Sequence, residues 1–198
     1  MRAVTATEQR AVAPADEELL ARLRRGDRAA MDELFQRYRI AAYRVAYRLL
    51  GHEADALDAV QNAFIKVFTH LDGFEGRSSF KTWLLRVVSN AALDLGRRRG
   101  RRDELCGEER GADVEPEAPA ADEEPGRELE RADLRRLLDD ALRQLPESQR
   151  KTFILHVDGG LSYREVADVL DISIGTVMSR LFYARQKLRT LLSERWQR

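Results

Sequence analysis

The chain has 198 residues, with 34 Lys/Arg balanced by 34 Asp/Glu and a single cysteine. Cys106 alone excludes an intramolecular disulfide and a cysteine-built zinc site, and no apolar run approaches the length of a membrane span. At 34% charged and 7% aromatic residues the composition suits a helical, soluble protein better than a sheet sandwich. The N-terminus also lacks a signal-peptide core, so a cytoplasmic location is expected.

Zero net charge hides three blocks. Residues 1–102 carry 19 Lys/Arg and 13 Asp/Glu, a balance of +6. Residues 103–130 carry 2 and 12, a balance of −10, and residues 131–198 carry 13 and 9, a balance of +4. Phosphate binding responds to local charge, so two basic blocks flanking an acidic one leave room for nucleic acid.

Residues 1–15 lack periodicity and read as a disordered leader. Asp16 is placed to cap a short helix carrying Leu19, Leu20 and Leu23, which Gly26 ends. Asp27 opens a long helix to about Leu50, with Ala30, Leu34, Tyr38, Ala41, Val45 and Leu49 in steps of three and four. Gly51 fits its C-terminal stop. A third helix from about Glu53 to His70 buries Ala56, Val60, Phe64 and Val67. Glycines mark a loop over 71–77. Ser78 or Ser79 then caps a fourth helix with Phe80, Trp83, Leu84, Val87, Val88, Ala91 and Leu95 inward, running out into an arginine-rich end. Residues 16–102 thus form one helical bundle.

The acidic stretch 103–130, with Pro116, Pro119 and Pro125, buries too little to offset chain entropy and reads as a flexible linker. Residues 131–198 form a second, four-helix domain. Leu134, Leu137, Leu138, Ala141 and Leu145 line its first helix, closed by Pro146. Phe153, Ile154 and Val157 face inward from the next. Ser162 then stands three residues before Glu165, the spacing of a capping box, with Val166, Val169 and Leu170 following. Asp171-Ile172 breaks the run and Ser173 offers a second cap. In the last helix Val177, Leu181, Ala184 and Leu188 form one apolar stripe, and Met178, Ser179, Phe182, Tyr183 and Gln186 fall away from it. Two short helices with this turn form a helix-turn-helix, whose second helix enters the DNA major groove. An ordinary antiparallel helix pair is the alternative. The expected fold class is all-α, in two small domains joined by the acidic linker.

Two blocks together resemble the extracytoplasmic-function (ECF) sigma factors of bacterial RNA polymerase. In the first domain they are Ala56-Leu57-Asp58-Ala59-Val60-Gln61 with Phe64, Phe80-Lys81-Thr82-Trp83-Leu84 and Asn90-Ala91-Ala92-Leu93-Asp94. In the second they are Leu145-Pro146-Glu147, residues 161–167 and Gly175-Thr176-Val177-Met178-Ser179-Arg180-Leu181. The resemblance implies that the first domain (16–102, region 2-like) holds core polymerase and captures the minus-10 element. The second (131–198, region 4-like) would read the minus-35 element as duplex. It further implies contact with the beta-prime clamp helices through Asp55, Asp58 and Gln61 and contact with the beta flap, while two small domains on a long linker leave surfaces that an anti-sigma factor is expected to clamp. Leu57 departs from the family by replacing its usual glutamate.

For the minus-10 element the resemblance singles out Phe74 as a stacking face, Lys81, Asn90 and Asp94, and Arg97 and Arg98 as a phosphate-tracking end. Trp83 is open between core and the strand-separation surface. For the minus-35 element it singles out Arg164, Thr176, Met178, Ser179, Arg180, Phe182 and Tyr183. The family often carries Lys or Arg at the position of Met178 and Arg at that of Tyr183, so bidentate guanine reading is less available here. Methionine and aromatic side chains suit thymine methyls instead. Arg164, Arg180, Arg185 and Lys187 suit phosphates, although Arg180 and Arg185 also have Glu165 or Asp168 as possible partners. A DNA-binding regulator acting without polymerase accounts for residues 131–198 but leaves the first domain unused. His52, His70 and His156 are scattered, and no nucleophile elbow or glycine-rich phosphate loop is present, so neither catalysis nor a cofactor or metal is expected.

Overall fold

The computed structural model describes residues 15–106, 134 and 136–196. Among them are eight α-helices, a single 3-10 turn and no strand, so the all-α expectation holds. The helices are α1 (Asp16–Arg24), α2 (Arg28–Leu50), α3 (Glu53–Thr69), α4 (Phe80–Cys106), α5 (136–143), α6 (Glu147–Val157), α7 (Tyr163–Leu170) and α8 (Ile174–Trp196). Helix α4 continues through Cys106, four residues into the segment expected as linker, and residues 107–130 lie outside the described residues. So does the expected leader apart from Ala15.

Internal packing divides the chain into one unit ending at Arg37 and another beginning at Tyr38. In the first, Leu19, Leu20, Ala30 and Leu34 are buried. Ala15, not Asp16, is the N-cap of α1 and makes no side-chain cap bond. Asp16 instead accepts a 2.5 Å bond from Arg37, a charge pair that the capping motif does not offer. Asp27 caps α2 as expected, accepting from the Ala29 amide at 2.9 Å. Arg22 bridges Asp27 and Glu33 at 2.8 and 3.1 Å.

In the second unit α3 packs on α4, α6 and α7 pack on α8, and α4 packs on α7. Gly51 ends α2 with φ of +68°, a conformation that favours glycine at a helix stop. His52 caps α3 through Nδ1, which accepts from the Asp55 amide. Ala56, Val60, Phe64 and Val67 are buried as the spacing predicts, with Ala59 and Ala63 beside them. Ser79, rather than Ser78, caps α4 by accepting from the Thr82 amide at 3.1 Å. The buried face of α4 is Phe80, Leu84, Leu85, Val88, Ser89 and Ala92, whereas Val87, Ala91 and Leu95 are only half-buried.

The C-terminal core holds Ala141, Leu142 and Leu145 against Ala184 and Leu188 of α8. Leu138, Phe153, Leu191 and Leu192 pack around that cluster. Two expected core residues lie outside: Val157 and Leu134 are both more than half exposed. Val157 gives way because Leu155, one residue off its register, occupies the inward position of α6.

Candidate nucleic-acid interface

The double-capped turn is built as the residue pattern requires. The Ser162 hydroxyl accepts from the Glu165 amide, and Glu165 accepts in return from the Ser162 amide at 2.9 Å, completing the capping box. Asp171 closes α7 in the left-handed region (φ 53°), which short polar side chains tolerate better than most. Ser173 then accepts from the Thr176 amide at 3.1 Å and starts α8. Val166, Ala167 and Val169 of α7 are buried, as are Val177, Leu181, Ala184 and Leu188 of α8.

The opposite face of α8 is open. Met178 is 55% exposed, Phe182 63% and Tyr183 56%, although each carries a large apolar body. Ser179 is exposed beside them and bonds only its own helix, donating to the Thr176 carbonyl. Phe182 and Tyr183 meet edge to face at 5.4 Å. Arg164 is exposed on α7, while Thr176 and Arg180 are half-exposed at the edge of the α8 face. Neither Arg180 nor Arg185 forms an ion pair with Glu165 or Asp168 among the described residues; Arg185 donates to the Tyr163 hydroxyl at 3.4 Å. From Ile172 to Ser193 there are four cations and no acid, so this face sits in a positive field.

The residues assigned to the minus-10 element are placed differently. Phe74 is buried, which corrects its reading as an open stacking face. Its ring packs on Trp83 at 5.0 Å and Phe80 at 6.2 Å, and Phe80 also meets Tyr38 at 5.6 Å. An aromatic ring with this much apolar surface gains more from that cluster than from water. Trp83 is half-buried in the same cluster, so it is core on one side and accessible on the other. Lys81 donates to the Gly160 carbonyl at 3.1 Å, and Asn90 accepts from Lys151 at 3.4 Å. Asp94 and Arg98 are exposed, and Arg97 pairs with Glu147 at 3.3 Å.

These bonds belong to a seam of α4 and the end of α2 against the C-terminal helices that no local pattern announces. Glu165 stands at its centre. It accepts from the Thr82 hydroxyl at 2.8 Å and the Ser79 hydroxyl at 3.4 Å while capping α7. Burial pushes its carboxyl up, but bonds from the Ser162 amide and hydroxyl and from Thr82, with the Lys81 charge, outweigh that and hold it below the ordinary glutamate value. At the other end Arg48 is bonded to Asp139 and lies 3.6 Å from Asp158. Burial raises the Asp158 carboxyl against the pull of Arg48. Gly159 is required where the segments meet, since a Cβ there would fall 2.5 Å from the Leu155 carbonyl oxygen and 3.1 Å from Leu85 Cδ1.

On α3, Asp58 and Gln61 are exposed beside Leu57 (52%) and Ile65 (54%), a mixed polar and apolar face that none of the described residues covers. Asp55 is different: it bonds Arg99 and lies 3.6 Å from His52. The three histidines have structural roles. His52 caps α3, the His70 ring lies 3.0 Å from the Lys66 carbonyl, and the His156 ring lies 2.8 Å from the Leu161 carbonyl, edge-on to Tyr163. No helix among the described residues is long and apolar enough to cross a membrane.

A helical body ending in a doubly capped helix-turn-helix, with an exposed reading face in a positive field, defines a DNA-binding protein of the helix-turn-helix class. Residues 34–102 match Sigma-70 region 2, and residues 135–188 match Sigma-70 region 4. The chain is 38% identical over 173 residues to the ECF RNA polymerase sigma factor SigE of Mycolicibacterium smegmatis, covering 85% of this chain and 65% of that relative. It is 33% identical over 177 residues to the ECF RNA polymerase sigma-E factor of Haemophilus influenzae, covering 87% and 93%. The solved structure of the sigma factor RpoE in complex with the anti-sigma factor NepR from Bartonella quintana aligns with a TM-score of 0.64 at 26% identity, over 81% of this chain and 97% of that one. The chain belongs to the ECF sigma factors of RNA polymerase, a family of transcription initiation factors and not of enzymes.

Proposed function

We propose that this chain binds core RNA polymerase and directs promoter-specific initiation with two separate DNA-reading ends. Residues 70–102 capture the minus-10 element as it opens, and α8, over 174–189, reads the minus-35 element as duplex. The observation that carries this reading is the pairing, in one chain and in family order, of a region 2 match with a region 4 match whose recognition helix is exposed. Asp58 and Gln61, with Leu57 adding apolar contact, meet the beta-prime clamp helices of the polymerase, and the C-terminal domain meets the beta flap. Asp55 contributes to that surface by holding the N-terminus of α3 through Arg99. In the minus-10 reader Lys81, Asn90, Asp94, Arg97 and Arg98 contact the strand, and Trp83 supplies the accessible ring that Phe74 does not.

The work is done in the cytoplasm, and an anti-sigma factor is the expected restraint. The bonds of Lys81 to Gly160 and of Asn90 to Lys151 support the view that part of this surface is engaged in the free chain. Run-off transcription with purified core polymerase tests the proposal. A transcript from a selected promoter that depends on adding this chain is the expected result. Duplex binding with no promoter-dependent transcript would instead indicate a regulator that works without polymerase.

A further inference from the structure

We infer that the recognition helix reads thymine methyl groups through a row formed by Ile174, Met178 and Phe182. The inference rests on the proposal that α8 enters the major groove, and adds what it reads there. The three residues follow each other at steps of four, so they lie along one side of the helix. Their exposures are 46%, 55% and 63%, rising along the row, while the buried stripe of the same helix is essentially sealed. Eight residues of helix span about 12 Å, the rise of three to four base pairs.

Chemistry selects the occupant. In the major groove the thymine C5 methyl is the one apolar group presented by the bases, and guanine reading calls for Arg or Lys at the contact. Of the outward side chains in the first two turns of α8, none before Arg180 carries a charge, and Arg180 is only half-exposed at the edge of the face. Gly175, beside the row, has nothing nearer its missing Cβ than Ser173 Oγ at 3.7 Å, so the backbone there can approach the bases closely. Protein is the alternative occupant of an apolar face. Against it stand Arg185, Lys187 and Arg189 directly along the helix with no acid to balance them, a pattern that complements phosphate, whereas cores of protein interfaces are depleted in charge.

The test uses the full chain on core polymerase. Promoters are selected from a library randomised across the upstream element, and the winners are remade with each thymine of that element replaced by uracil, which removes only the methyl group. Selected elements should carry a thymine run of two to four. Each uracil should lower upstream-element-dependent transcription about fourfold, the value of one buried methyl group. In the double variant Met178→Ala, Phe182→Ala, thymine and uracil templates should perform alike. Met178→Arg gives a second readout independent of loss, since it should shift the selected base at its contact to guanine. Winners without thymine, or thymine and uracil templates equal in the unsubstituted chain, overturn the inference while promoter-directed transcription itself persists. Row substitutions that leave selection unchanged assign the row to a protein partner and overturn it equally. If no promoter is selected at all, both the inference and the function it rests on fall, an outcome distinct from the others.

Discussion

The two surfaces proposed to read DNA differ in access as well as in residue type. On α8 Met178, Phe182 and Tyr183, the side chains proposed to read bases, are more than half exposed, and Ser179 donates only to the Thr176 carbonyl of its own helix among the described residues. On α4 the corresponding side chains are engaged: Lys81 with Gly160, Thr82 with Glu165, Asn90 with Lys151 and Arg97 with Glu147. One proposed reader is open, and the other has several of its polar groups bonded to neighbouring helices. Each of these partly exposed bonds contributes roughly 0.5–1 kcal/mol net, so the seam is strong enough to bias the free chain and weak enough for a large partner surface to open. On the proposed roles, opening this seam would couple polymerase binding to minus-10 access, whereas the α8 face is exposed without it.

The strongest way to break that comparison is at Glu165, which serves both surfaces. Glu165→Ala removes the capping box of α7 and the bonds from Thr82 and Ser79 together. A cap is worth about 1 kcal/mol and each buried-side hydrogen bond about 1 kcal/mol, so urea unfolding should register a loss of about 2–3 kcal/mol. Thr82→Val keeps the capping box and should cost about 1 kcal/mol. Equal losses for the two variants would mean that the cap contributes nothing and that the seam alone sets stability.

Next in size is a separation of the two readers. The double variant Thr82→Val, Arg48→Met loosens both ends of the seam without touching a proposed base contact. Binding of a single-stranded minus-10 oligonucleotide by the full chain should rise severalfold, about 1 kcal/mol of released closure. Affinity for duplex upstream DNA should stay within twofold. A parallel rise in both affinities would show that the seam gates the whole molecule rather than one end.

Much of this was readable before any coordinates. The helices, both caps of the helix-turn-helix and the buried stripe of α8 follow from spacings of three and four, because a capping box or an amphipathic stripe is a contact between near neighbours in sequence. Phe74 was misjudged for the opposite reason: loop glycines suggest exposure, and only the fold brings Phe80 and Trp83 around its ring. Val157 was misplaced by one residue of register. The seam was invisible. Thr82 and Glu165 lie 83 residues apart, and Arg48 and Asp139 lie 91 apart, so no local periodicity couples them. Its one hint in the sequence is Gly159-Gly160, since Gly159 marks a close approach to Leu85.

Acid should sharpen the contrast between the two ends. Glu165 has a folded-state pKa below its ordinary 4.5, so its stabilisation is complete above that value and is lost as pH falls through the folded pKa. Asp158 has a raised folded pKa, so protonation in the same range relieves a burial cost instead of breaking a bond. The acid loss of stability should therefore shrink in Glu165→Gln. In Asp158→Asn it should grow, because the offsetting relief is gone. Urea midpoints measured on both sides of pH 4.5 check the two signs.

The smallest effect is expected at Lys151, where burial is the main reason that the ammonium is held below its ordinary pKa of 10.5. Its bond to Asn90 is long at 3.4 Å, so the charge is desolvated for little return. Lys151→Met keeps the apolar stem and removes the charge, and stability at neutral pH should change by less than about 0.5 kcal/mol. The sign of the pH dependence is more telling than that magnitude. With a folded pKa below the unfolded one, the unfolded chain binds more protons as pH rises toward 10.5, so wild-type stability gains over that window and the Met variant does not. Freed from Lys151, Asn90 should also become more available to the minus-10 strand. A Met variant that follows the wild-type pH profile and leaves oligonucleotide binding unchanged would show that Lys151 does not restrain Asn90, and would leave the engaged contacts of α4 resting on Lys81, Thr82 and Arg97.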